Sequence, residues 1–139
     1  MKFLIGSLLL LSTLNSYGQI ASESEYYRRM DLGQKLMIAG DYTAAQTEFL
    51  FVLENMEVIP TDLAYLFGRN SFHLASYKQS VNWLNKYLQL KGTKGQYYQE
   101  AIQYLQFSED KYMELQRAVK QDQNNALIAS KYDCGGLSK

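Results

Sequence analysis

Cysteine, histidine and proline occur once each in a chain of 139 residues. One Cys and one His cannot close a tetrahedral zinc site, and a lone Cys has no internal disulfide partner. A single Pro removes the commonest interruption of a helix, so long helices are expected. Neither sign of charge is in excess, with 14 Lys and Arg against 14 Asp and Glu. Binding to nucleic acid or to an anionic membrane surface draws on a clustered basic face, and this balance argues against both. Catalytic signatures are missing as well. Gly92 and Gly95 lack the Lys-Ser/Thr continuation and the preceding strand of a phosphate loop. The carboxylates have no calcium-loop spacing, and no Cys or activated Ser accompanies His73 by motif. The expectation is a chain that is not an enzyme and has no cofactor or metal. What is present suits a folded domain: 47% hydrophobic and 20% charged residues rule out wholesale disorder, and the length predicts one domain.

The N-terminus reads differently from the rest. Lys2 precedes a run without charge, Phe3 to Leu14, which matches the apolar core of a signal peptide and is too short to span a bilayer. Ser16 and Gly18 place small residues at −3 and −1 of a cut before Gln19. Residues 1–18 are therefore expected to be a signal peptide and the protein to be exported, periplasmic or secreted, with no membrane span after its removal. The end of the chain, KYDCGGLSK, carries Cys134 in a polar, Gly-containing stretch that reads as a surface tail.

Between these ends the pattern is helical throughout, and an all-α fold is expected. Ser22-Glu23-Ser24-Glu25 is a capping box opening a helix to Ala39, which Gly40 ends. Asp41 caps a second helix from Tyr42 to about Glu57, and Pro60 lies just beyond its end. Thr61 caps a third, Asp62 to His73. Ser76-Tyr77-Lys78-Gln79 forms a second box, opening a helix to Leu90. A Gly-rich loop, 91–95, precedes a helical stretch from Gln96 to about Ala118, with Tyr98, Ala101, Ile102, Leu105, Tyr112, Leu115 and Val119 on one stripe. The polar run 121–125 weakens the pattern, so residues 19–120 are read as the helical domain and 121–139 as a weakly structured tail, part of it helical. The tyrosine pairs 26–27 and 97–98, at helical spacing, read as packing residues rather than a ligand cage.

The helices repeat. Leu32-Gly33 lies 35 residues before Phe67-Gly68, and at the same offset Tyr42 matches Tyr77, Ala45 matches Ser80, Phe49 matches Leu84 and Leu53 matches Leu88. This period and order, with the Gly40-Asp41-Tyr42 turn, resemble the tetratricopeptide repeat, a helix-turn-helix unit of about 34 residues. The resemblance covers Glu25 to Leu90. It departs from the family at Arg29 and Ala64, where a Trp is usual, and in the position of Pro60 between the copies. It departs again at Tyr87, where Ala is usual, and a Tyr there suggests looser packing against the next helix. The resemblance implies a right-handed α-solenoid of about two such units, with one or more C-terminal helices capping the last face. It also implies a protein-interaction adaptor that holds a peptide or helix on its concave face. Carried onto this chain, the partner-binding lining is Tyr27, Met30, Gln34 and Met37 from the first unit, with Tyr65, Arg69 and Phe72 from the second and His73 at the margin. Members that clamp a terminal carboxylate place Lys and Asn where this chain has Met30 and Gln34, so that mode is disfavoured. The alternative reading is a self-associating structural subunit, a homo-oligomer in which Trp83, Tyr87 and the C-terminal helix pack between copies.

Overall fold

The computed structural model describes residues 23–133, so the signal peptide at 1–18, the Ser22 cap and Cys134 lie outside the described residues. The fold is all-α: α1 (Glu23–Ile38), α2 (Tyr42–Asn55), α3 (Thr61–His73), α4 (Tyr77–Lys91), a 3-10 turn (Gly92–Lys94) and α5 (Tyr98–Asp133). Helices α1 and α2 form one hairpin, α3 and α4 a second. The hairpins meet mainly through α2 and α3, and α5 packs on α4 and α3.

Both hairpins turn in the same way, 35 residues apart. At the end of α1 the amide of Asp41 donates to Leu36 O at 2.9 Å and that of Gly40 to Met37 O at 3.1 Å, with Gly40 at φ +82°. At the end of α3 the amide of Ser76 donates to Ser71 O at 2.9 Å and that of Ala75 to Phe72 O at 3.0 Å, with Ala75 at φ +56°. This pair of bonds satisfies the orphan carbonyls of a helix end and needs a left-handed residue, which Gly supplies without strain. The caps of the second helices differ. Asp41 Oδ1 accepts from the Ala44 amide at 3.0 Å, whereas Ser76 makes no such side-chain bond, so the second expected capping box does not form. Pro60, not Thr61, is the cap residue of α3.

Within each hairpin the helices cross at a glycine. A Cβ on Gly33 would press into the Phe49 ring, 2.8 Å from Cδ1, and one on Gly68 would lie 2.6 Å from Leu84 Cγ and 3.1 Å from the Leu84 amide nitrogen. The pairs Gly33/Phe49 and Gly68/Leu84 keep the 35-residue offset, and both Phe49 and Leu84 are fully buried. The second crossing adds polar contacts: buried Ser80 Oγ lies 2.7 Å from both Gly68 O and Ser108 Oγ of α5. Between the hairpins, fully buried Asn70 donates to Tyr42 O at 3.0 Å and to Gln46 Oε1 at 2.9 Å.

Two features depart from the sequence reading. First, α5 runs unbroken through 121–125 to Asp133. No Gly or Pro occurs from 98 to 133, so nothing in this stretch breaks the helix that α5 begins on the body of the protein. Second, Tyr87 makes no loose joint. It is fully buried, its hydroxyl accepts the Tyr97 amide at 2.9 Å, and Gly95 approaches it closely enough to exclude a side chain. Nor is it exposed for contact between copies.

Candidate interaction surfaces

The seven residues expected to line one concave face divide into two groups, because α5 lies over half of that face. Tyr65 is fully buried, its ring stacked on Tyr97 at 4.1 Å and its hydroxyl donating a short hydrogen bond to the Glu100 carboxylate. Burial, reinforced by Glu100, pushes the Tyr65 phenol well above its usual pKa. The Arg69 guanidinium sits 5.6 Å from the Tyr104 ring centre and 3.9 Å from Glu100. Half-buried Phe72 packs edge-on against Tyr104 at 5.4 Å and against Phe107 at 6.2 Å. Four aromatic or acidic side chains of the α5 region thus occupy the second row. Aromatic surface on α3 is better covered by aromatic surface on α5 than left in water. Met37, only 4% exposed, belongs to the core instead of the face.

The first row stays open at one place. Tyr27, Met30, Asp31 and Gln34 of α1 line a recess of about 220 Å³ together with Asp62 and Leu66 of α3 and Gln96 and Tyr97 before α5. Buried Met30 and Leu66 belong to its apolar floor, and Tyr27, about half exposed, stands at the rim. Asp62 accepts from Gln96 Nε2 at 3.2 Å and has Lys91 Nζ 3.9 Å away. The described lining carries two carboxylates, two amides and two phenol rings, and no Lys or Arg. Such a recess suits a cationic group, which the carboxylates attract and the ring faces accept.

His73 lies at the edge of the covered row, stacked face to face on Tyr42 with ring centres 4.3 Å apart. Burial, then the nearby Arg69 charge, pulls its imidazole below the ordinary pKa, so it stays neutral near pH 7. Its Nε2 lies 3.4 Å from the Tyr104 hydroxyl.

A second and larger recess lies farther along α5. A groove of about 630 Å³ runs between the start of α4, with Tyr77 and Trp83, and the middle of α5, with Tyr112 and Leu115. The α5 stripe was legible in sequence. Its meeting with the start of α4 was not, because that depends on where along α4 the long helix crosses.

Compared with family models, with curated proteins and with solved structures, the chain matches none. Function therefore rests on the geometry of these surfaces.

Proposed function

We propose that this chain is a non-catalytic, exported adaptor made of two tetratricopeptide-like units capped by α5, and that it holds a basic peptide segment in the recess between α1 and α3. Support for the repeat reading comes from the shared turn and the shared glycine crossing at a 35-residue offset. The observation that carries the binding reading is the recess itself, with Tyr27 and Gln34 beside the carboxylates of Asp31 and Asp62 and no cation in its described lining. The volume admits one long side chain, so a Lys or Arg would enter while the flanking peptide lies across Tyr27.

The test is a titration of a lysine-scanned library of short peptides by fluorescence anisotropy. A Lys- or Arg-containing peptide should bind, and Asp31→Asn and Tyr27→Ala should each weaken it about 10-fold, the size of a modest interface anchor. Lys86→Ala, on the exposed side of α4, should change nothing. Equal binding of the Lys-free versions would remove the proposal. The export part predicts a secreted form whose mass begins at Gln19; a retained Met1 would contradict it.

A further inference from the structure

The recess between α1 and α3 shares one carboxylate with the connector from α4 to α5. Asp62 lies in the first turn of α3, where the helix dipole favours its negative charge. Helix α4 runs back along α3, so its last residue, Lys91, returns to that end. Of the two Asp62 oxygens, Oδ2 accepts from Gln96 Nε2 at 3.2 Å. Oδ1 is shielded from solvent without a hydrogen bond, and Lys91 Nζ stands 3.9 Å from it. Lys91 and Gln96 flank the 3-10 turn Gly92–Lys94. A lining that carries no cation therefore has one held just outside it.

The two carboxylates of the recess are thus unequal. Asp31 is exposed and forms no ion pair among the described residues. A cation entering the recess meets Asp31 unopposed and meets Asp62 only in competition, because an amide hydrogen occupies Oδ2 and an ammonium already offsets the charge. We infer that Lys91, with Gln96, is a built-in competitor for the ligand's cation: it sets the affinity of the recess and lets go of Asp62 when a lysine side chain enters. This inference rests on the basic-peptide reading of the recess and adds its regulation.

The surrounding contacts allow this exchange without unfolding. The connector has fixings that do not involve Asp62: the Tyr87 hydroxyl accepts the Tyr97 amide at 2.9 Å, and the Tyr97 ring stacks on buried Tyr65. Helix α5 therefore stays docked when Asp62 changes partner. The Lys91 side chain is 43% exposed, so its ammonium passes into water at little cost. A pair of this exposure is worth at most a factor of about 5 in an equilibrium constant, which makes it a modulator of affinity rather than an on–off switch. The competition is reciprocal, so binding in the recess weakens the hold of Asp62 on Lys91 by the same factor.

Nuclear magnetic resonance titration of the nitrogen-15-labelled chain with the end-blocked peptide Ala-Ala-Lys-Ala-Ala tests this. Lys91→Met, which keeps an unbranched stem, should tighten binding about 3- to 5-fold over the parent. The Gln96 side-chain amide should shift as the peptide enters. Lys94→Met removes the same charge from the neighbouring turn but no partner of Asp62, and should tighten binding by less than about 2-fold. In an Asp62→Asn background Lys91→Met should lose its effect, because the carboxylate it competes for is gone. Suppose that the peptide binds and Asp31→Asn weakens it, yet Lys91→Met matches the parent or Lys94→Met. The inference is then overturned while the recess reading stands. A Lys91→Met gain that persists without the Asp62 carboxylate overturns it as well. Binding by neither the parent nor Lys91→Met removes both readings, and binding by Lys91→Met alone supports both.

Discussion

The two hairpin turns offer a matched pair of substitutions. Gly40 and Ala75 occupy equivalent left-handed positions, φ +82° and +56°, with the same hydrogen bonds around them. An L-residue in this region costs roughly 1–2 kcal/mol. Ala75→Gly removes that cost and gives back about 0.4–1 kcal/mol, because Gly loosens the unfolded chain. The variant should therefore be more stable by about 0.5–1 kcal/mol. Gly40→Ala runs the other way by a similar amount, and its loss is purely conformational, since a Cβ there meets nothing within 4 Å. Urea denaturation followed by circular dichroism at 222 nm measures both, with unchanged slopes expected because the surface exposed on unfolding does not change. Thermal midpoints should move by about 2–5 °C in opposite directions. Combined, the two substitutions should return the protein close to the parent, as separate sites do. If Ala75→Gly destabilises, or Gly40→Ala is neutral, the turns are not held by their left-handed residue and the reasoning fails.

At the crossings, Gly33→Ala and Gly68→Ala should each destabilise by about 1–3 kcal/mol despite the helix propensity of Ala, because the added Cβ meets buried Phe49 or Leu84; denaturation midpoints check this. At alkaline pH, the raised pKa of Tyr65 means its neutral form stabilises the fold below about pH 10, a contribution lost as pH rises through the higher folded value. Spectrophotometric titration checks this: Tyr65→Phe should leave the number of tyrosines ionising before unfolding unchanged and lower the number ionising after unfolding by one. On the acid side two windows separate. The lowered pKa of His73 gives stability that is present above about pH 6.5 and lost as pH falls through its folded value, and His73→Phe should remove that slope while keeping the Tyr42 stack. Hydrogen bonds from Arg28 and then Arg29 hold Glu25 at about 2, so its contribution is present above about pH 4.5 and fades toward pH 2. That contribution is small because the group is exposed, and Glu25→Gln should flatten only this lower window.

Four helices, the end of α1 at Gly40 and the equivalence of the two hairpins were legible in the amino-acid sequence because each depends on local pattern or on a fixed offset along the chain. Gly40 ends α1, Pro60 separates the hairpins, and the 35-residue offset pairs Gly33 with Gly68 and Phe49 with Leu84, while the packing shows that each glycine meets the Phe or Leu of its own hairpin. Helix α5 is where local pattern ran out. Its polar stretch at 121–125 reads as weak by periodicity, yet nothing there breaks a helix, so it continues to Asp133. Which surface α5 covers was decided only in three dimensions. The aromatic residues of α3 could have formed an open concave row or the seat of another helix, and both satisfy the same spacing. Tyr97, Tyr104 and Phe107 gain more by stacking on Tyr65 and Phe72 than either set would gain in water, and that long-range contact closed the second row while leaving the first open beside Tyr27. The sequence alone determined the four helices and their pairing by offset, since helix starts and stops are local chemistry. Only the tertiary structure decided which of their faces remain exposed, since that depends on competition between distant surfaces for burial.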